Sequence, residues 1–403
     1  MGDGKRLGTG CRGKTTIISL RAKRRCYDGN KKLLVVKIKQ TKTDKEEEKM
    51  NKKIVAQNER VTIGADVHMR THVVTAMIGK EIVDRRILPS CRGGWRGYLE
   101  KFPGCELNVI YESGPQGYNL YDWLTEMEKQ EGQTVRVYVA PPGNVPKAPG
   151  KKRVKTDRRD SLALIHAYQS GAFEPVVVPE KDTRAERELV RTKEQLSEDV
   201  TRCKNRIHSL LKFHEIEPDE GKAFSEGWRK EALNKAKSSD PTGEIAASLK
   251  LKFKMLKQTQ EALDSVKARI RKLFSKGTRS HLAQKICKQV GIGIESAMVI
   301  ATEVADFHAF RNSDSFASYV GLVPGAHNSG ETFRPGPITK EGNPRLRHVF
   351  VECAWTWVRY DKEAARRYAA LKARRGAGRA IVAMARRLAV IVYHLVAHPA
   401  PAC

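Results

Sequence analysis

Four carboxylates stand where a two-metal phosphodiester chemistry needs them. Asp66 ends the mainly apolar run Val61-Thr62-Ile63-Gly64-Ala65, and Glu112 ends Leu107-Asn108-Val109-Ile110-Tyr111. Asp157 and Asp160 follow in Lys155-Thr156-Asp157-Arg158-Arg159-Asp160, at a spacing that puts both on one face of a helix. Acids at two strand ends and on one helix face can converge on a point. Carboxylates that close repel one another, and divalent cations relieve the repulsion. Mg2+ is the expected ion, as a pair that clamps the attacking and the leaving oxygen of a phosphodiester. Arg158 and Arg159 flank the helical acids and suit phosphate. His68 and His72 share a face if their segment is extended, which would let either touch a metal-bound water; the plainer reading is a surface or core histidine.

The elements that must hold these acids are legible in the hydrophobic pattern. Residues 59–178 read as α/β, with strands over 61–66, 72–78, 81–88, 107–112 and 135–139 and a turn at Gly79-Lys80. Helices are expected over 95–102, 118–128 and 157–169, the last capped by Thr156. The order βββαβαβα is that of the ribonuclease H-like fold, whose first and fourth strands are neighbours. In residues 179–280, Leu189, Leu196, Val200, Cys203, Ile207 and Leu210 keep a coiled-coil spacing. Leu249, Phe253, Leu256, Leu263, Val266, Ile270 and Leu273 keep it again, after a polar stretch with Pro218, Gly221, Gly227, Pro241 and Gly243. An antiparallel helical hairpin follows, its stripes serving either its own core or a dimer arm. Residues 281–403 are mainly helical. Val290-Gly291-Ile292-Gly293 has the helix–hairpin–helix pattern, in which Gly291 and Gly293 let backbone N–H groups approach a DNA phosphate. A glycine-rich loop is expected over 321–342, then a helix capped by Asn343 with Pro344 at its first position. The fold class is thus α/β plus mainly α.

Charge narrows the partners. The 403 residues carry a formal net charge of +29, an excess that calls for a polyanion, nucleic acid first. No run of 18 apolar residues and no secretory segment is seen, so no membrane partner is expected. The eight cysteines form no CxxC pair; reduced thiols in a cytoplasmic protein are expected, and no zinc site. Residues 1–58 read as a basic extension. They contain the phosphate-loop pattern Gly8-Thr9-Gly10-Cys11-Arg12-Gly13-Lys14-Thr15, but only polar residues precede it where a buried strand is required.

These signatures, with Gly64-Ala65-Asp66-Val67-His68 and Tyr111-Glu112-Ser113-Gly114, resemble the DEDD transposases of the IS-one-ten insertion-sequence family, kin of the Piv invertase. The likeness continues through Gly291-Ile292-Gly293, Phe316-Ala317-Ser318-Tyr319-Val320-Gly321-Leu322-Val323-Pro324, Asn328-Ser329-Gly330, Gly336-Pro337-Ile338-Thr339-Lys340-Glu341-Gly342-Asn343 and Arg345-Leu346-Arg347. It covers roughly residues 60–400. The resemblance implies a RuvC-like domain, a coiled-coil arm and a C-terminal domain with an essential serine, which Ser329 matches by position; Ser113 is its nearest competitor. Ser329 needs activation, which acids of the other domain would supply. The resemblance also implies donor and target DNA and a structured guide RNA as partners. A homo-oligomer, dimer or tetramer, is expected, and a bacterial or archaeal, nucleoid-associated location. Lys340, Arg345 and Arg347 would hold phosphates, although Glu331-Thr332-Phe333-Arg334 is less basic than the family pattern. Two other readings stay open: a metal-dependent junction nuclease in which water attacks, and a non-catalytic nucleic-acid-binding transposon derivative.

Overall fold

The computed structural model describes residues 25–28, 31–34, 59–114, 117–131, 134–141, 157–219, 221–329 and 332–398. The chain divides into two compact units, Met1–Val176 and Val177–Cys403.

In the first unit, β1 (Arg25–Asp28) and β2 (Lys31–Leu34) pair antiparallel. The phosphate-loop pattern at 8–15 lies outside the described residues. The main sheet comprises β3 (Arg60–Val67), β4 (Thr71–Ile78), β5 (Glu81–Pro89), β6 (Glu106–Glu112) and β7 (Val135–Ala140), with α1 (Arg92–Leu99), α2 (Asn119–Glu131) and α3 (Asp157–Gln169) between and after them. Strand order is β5-β4-β3-β6-β7. The β3–β4 and β4–β5 pairs are antiparallel, while β3–β6 and β6–β7 are parallel. The first and fourth strands of the expected set are therefore neighbours. Val61 to Ala65 and Leu107 to Tyr111 are buried throughout, as central strands covered on both faces must be. The five-stranded mixed sheet agrees with the sequence reading. Helix α1 starts three residues earlier than expected, and Thr156 lies outside the described residues.

Two contacts fix which helix covers which face. Thr75 Oγ1 and Ser161 Oγ lie 2.8 Å apart, tying α3 to one face of β4. Trp95 Nε1 donates to His72 Nδ1 at 2.8 Å, and both rings are fully buried. Because neighbouring strand residues point to opposite faces, His72 and α1 lie on the face away from α3. The direction of α3 is set by its far end, where Gln169 Nε2 donates to Gly79 O at 3.1 Å in the β4–β5 turn. The helix thus runs antiparallel to β3, and its N-terminus points toward the C-terminal ends of β3 and β6.

The described residues of the second unit are helical apart from one hairpin. Helices α4 (Lys181–Phe213) and α6 (Glu244–Lys276) pack along each other, with α5 (Glu226–Ser239) beside them. Val200, Cys203, Ile207, Leu249, Phe253, Leu256 and Leu263 form one core with Trp228, Ala232 and Ala236 of α5. These stripe residues are buried within the hairpin, and the polar stretch between the stripes holds a helix, capped by Ser225 accepting from Trp228 N–H. Then come α7 (Ser280–Cys287), α8 (Ile294–Glu303), α9 (Ser313–Val320), β8 (Pro324–Ser329), β9 (Thr332–Ile338), α10 (Pro344–Tyr360), α11 (Lys362–Arg375) and α12 (Ala377–Ala397). Val190 of α4 and Ile270 of α6 enter the core of this helical part, around Phe316, Phe350, Leu388 and Tyr393. Helix α12 is long and apolar enough to cross a membrane by composition, but Ile381, Met384, Leu388 and Val392 are buried in that core. Cys91, Cys105, Cys203, Cys287 and Cys353 are not in disulfides.

Candidate active site

Asp66 and Glu112 meet by register. Ala65 pairs with Tyr111 in the parallel β3–β6 ladder, so the next residues, Asp66 and Glu112, stand level at adjoining strand ends. They also share a face. Gly64, two before Asp66, lies under α3, and Ile110, two before Glu112, packs on Leu164 of α3. Gly64 is glycine for a steric reason: a Cβ there would lie 1.9 Å from Ser161 O and 2.9 Å from Ile165 Cγ1. A glycine inside a strand marks such a close approach.

The contact places the helical acids. From Gly64 to Asp66 the strand advances about 6.6 Å. From Ser161 back to Asp157 the helix advances about 6 Å in the same direction. Asp157 and Asp160 therefore belong to the turn of α3 nearest the level of Asp66 and Glu112. Carboxylates in a first turn are also favoured by the helix dipole. Asp66 is about one-fifth exposed and its Oδ2 lies 3.3 Å from His68 Nε2. Glu112 is exposed and Asp160 half-buried, while Arg158 and Arg159 are exposed. His68 thus reaches Asp66, whereas His72 is a core histidine bonded to Trp95. Among the described residues no three of His, Cys, Asp and Glu stand close enough to hold one ion; the Asp157 side chain lies outside them. The donor types are all oxygen, as a hard divalent cation requires. Ser113 follows Glu112, and its N–H donates to Ala140 O at 3.1 Å.

In the second unit, the loop expected over 321–342 is largely a β-hairpin. Ser329 is the last residue of β8 and pairs with Thr332 of β9. It therefore sits at the tip, and its side chain lies outside the described set. The base is held firmly: Thr339 N–H donates to Val323 O at 3.1 Å and Asn343 N–H to Tyr319 O at 2.8 Å. Gly342, at φ +92°, abuts Tyr319 O, where no side chain fits.

The basic residues expected at phosphates divide. Lys340 is exposed. Arg345 Nε bonds Glu194 Oε2 at 3.0 Å, and Arg347 donates to Lys340 O at 3.1 Å; both have structural partners. Gly291, at φ +94°, has Trp357 Cβ and Cys353 O within 2.8 Å of where its Cβ would be, so packing on α10 explains this glycine. Gly293 caps α8 and faces open space.

Sequence reasoning passed over Glu303. It is 2% exposed and accepts from Arg191 at 2.7 and 2.9 Å and from Asn343 Nδ2 at 3.0 Å. Burial raises its pKa, but Arg191, Asn343 and Arg187 outweigh that and hold it below the ordinary carboxylate value. An acid within the apolar stretch 294–304 was the available signal.

Fold and acid placement define an α/β acid-site unit followed in the chain by a helical one. Both parts match family models: residues 63–215 match the DEDD transposase model of the IS110 group, and residues 283–369 match the transposase IS116/IS110/IS902 family. The chain belongs to this transposase family. It is 32% identical over 261 residues to transposase y4qE of Sinorhizobium fredii, covering 64% of this chain and 60% of that protein. It is 27% identical over 255 residues to the transposase for insertion sequence element IS1111A of Coxiella burnetii, covering 61% of this chain and 68% of that one. The match thus spans less than two thirds of the length of the first relative.

Proposed function

We propose that this protein is a DNA transposase that cuts and rejoins strands at an insertion sequence under the direction of a structured guide RNA. The observation that carries the reading is the level placement of Asp66 and Glu112 at the sheet edge toward which the N-terminus of α3 points. Asp66, Glu112, Asp157 and Asp160 of a ribonuclease H-like domain would hold two Mg2+ ions, which when bound offset the charge of the phosphodiester under attack. Arg158 and Arg159 hold neighbouring phosphates. Ser329 Oγ attacks phosphorus: the Oγ–P bond forms as the P–O bond to a deoxyribose oxygen breaks. The phosphoseryl link keeps the bond energy until a sugar hydroxyl of the incoming strand takes the phosphorus and releases the serine. The backbone at Gly293 and the Lys340 side chain add sequence-independent grip.

Alanine substitution of Asp66, Glu112 or Asp160 tests this on a plasmid carrying the element and its flanks. Each variant is expected to lose strand exchange and keep RNA binding. Near wild-type exchange in any two would end the metal-site assignment. Mixing Asp66→Ala with Ser329→Ala protein reads whether acids and serine must come from one subunit: restored exchange shows complementation in trans.

A further inference from the structure

Helix α11 carries Lys362, Arg366, Arg367, Lys372, Arg374 and Arg375 against one acid, Glu363, which Arg367 engages. It packs on α10, from which Asp361 alone separates it. Trp355 of α10 and Tyr368 of α11 make an edge contact, with ring centroids 5.6 Å apart and planes at 67°. Both rings stand more than a turn from the joint, so α11 folds back along α10. Trp355 remains 43% exposed, unusual for so large an apolar ring. Arg359 stands one turn after Trp355, and Lys372 and Arg375 stand one and two turns after Tyr368, spacings that keep each on the face of its ring. All three cations are exposed, and no carboxylate among the described residues pairs with them. Because the helices run in opposite directions, Arg359 lies about 6 Å to one side of the rings, and Lys372 and Arg375 about 6 and 10.5 Å to the other. Glu352, one turn before Trp355, is the acid of this face.

We infer that this face binds an unpaired segment of the guide RNA, with Trp355 stacking on a base and Arg359, Lys372 and Arg375 holding the phosphates on either side. The inference rests on the guide-RNA reading above and names where that RNA meets the chain. The cations select a polyanion. The exposed indole selects among polyanions, because a base can stack on a side chain only where it is not already stacked in a duplex. A structured RNA presents loops and bulges with such bases, whereas donor and target DNA arrive as duplexes. Tyr368 is packed on the core of the helical part and holds the indole in place, which lowers the entropy lost on binding.

The two kinds of contact have separable signatures. Stacking on Trp355 contributes about 5- to 150-fold in affinity, the equivalent of about 1–3 kcal/mol for one stacked base. Each phosphate held on a single strand adds about 0.7 to the slope of log affinity against log salt. Tyr360 supplies a control. It is 71% exposed, but it lies about 140° round the helix from Trp355 and so off this face.

The test uses the full chain and an oligouridylate carrying one photoreactive 4-thiouridine, in salt high enough to suppress non-specific phosphate contacts. Trp355→Ala should weaken binding by about 5- to 150-fold and leave the salt slope unchanged, while Trp355→Phe should keep most of the affinity. Lys372→Ala and Arg375→Ala change only exposed side chains and should each lower the slope by about 0.7; they decide the matter should Trp355→Ala not fold. Tyr360→Ala should bind as wild type does. Photocrosslinking should mark the peptide that holds Trp355. In a complex of the chain, plasmid and an RNA transcribed from the element's flank, with the photoreactive base placed in either nucleic acid, Trp355 should link to the RNA. Equal oligouridylate affinity in wild type and Trp355→Ala overturns the proposal, as do unchanged slopes in both cation variants or an equal loss in Tyr360→Ala. A link from Trp355 to DNA assigns the face to a displaced DNA strand and overturns it too. A wild-type chain that binds the flank transcript no better than a scrambled RNA of equal length overturns the guide-RNA reading itself, whatever Trp355 does.

Discussion

Gly64→Ala is the sharpest probe of how the acid site is built, because it touches no acid. The added methyl would sit 1.9 Å from Ser161 O, 2.9 Å from Ile165 Cγ1 and 3.0 Å from Ser161 C. Two of these neighbours are backbone, so no rotamer change relieves the clash. Helix α3 must withdraw by at least about 1 Å to reach the closest approach that real Cβ atoms show. Overpacking of this kind costs about 1–3 kcal/mol. Withdrawal strains the buried Thr75–Ser161 bond and carries Asp157 and Asp160 away from Asp66 and Glu112. A displacement near 1 Å in a catalytic set lowers rate on the order of 10²-fold. The assay pairs thermal unfolding with single-turnover strand cleavage at saturating nucleic acid. A modest fall in melting temperature is expected, with a much larger fall in rate and unchanged RNA affinity. Wild-type cleavage and stability in Gly64→Ala would refute the placement of α3 over β3.

Other outcomes follow from the second unit and the charge. Glu303→Ala strips the partner from Arg191; the cost should be about 2–4 kcal/mol, below the full range for a broken buried pair because Arg191 stays about one-third exposed, as read by denaturant unfolding. With its folded pKa depressed, Glu303 stabilises fully above its unfolded value, near about 4.3, and the contribution is lost as pH falls through the lower folded value. Wild type should therefore lose stability on acidification in that window, and Glu303→Ala should lose less. Binding to non-cognate duplex DNA should weaken steeply and linearly in log–log plots against salt, since each neutralised phosphate releases counterions. Deleting residues 1–58 should reduce that non-specific affinity and spare cleavage of pre-bound substrate; loss of cleavage would show that the segment is more than a basic appendage.

Much of the acid unit was legible because local pattern and global fold agree there. β3 and β6 are buried on both faces, so they read as apolar runs, and each run ends at its acid. Their adjacency followed from the element order. What the pattern could not supply was the depth of α3 over the sheet, although Gly64 within a strand was its trace. His72 is the core histidine of the plainer reading, and the turn between β3 and β4 breaks the alternation that would have made it a companion of His68. Helix α5 was hidden by its polar, glycine-flanked sequence: its buried face is only Trp228, Ala232 and Ala236, too small for a clear hydrophobic stripe. β8 and β9 contain Gly325, Pro335, Gly336 and Pro337, residues that argue against strands. The loop expectation was therefore natural, and the pairing of β8 with β9 appears only in the structure. Arg345 and Arg347 carry the charge a phosphate needs, but sequence does not disclose that Glu194 and the Lys340 carbonyl already engage them.

The central claim is that Ser329 carries the DNA strand while the acid quartet enables the attack. The direct measurement is to trap the reaction on plasmid DNA carrying the element, digest the protein, and identify the DNA-linked peptide by mass spectrometry. The account predicts a single linkage on the peptide spanning His327 to Thr332, at Ser329, absent from Ser329→Ala and from Asp66→Ala protein tested alone. A linkage that persists in Ser329→Ala, or one mapped to Ser113, would contradict it.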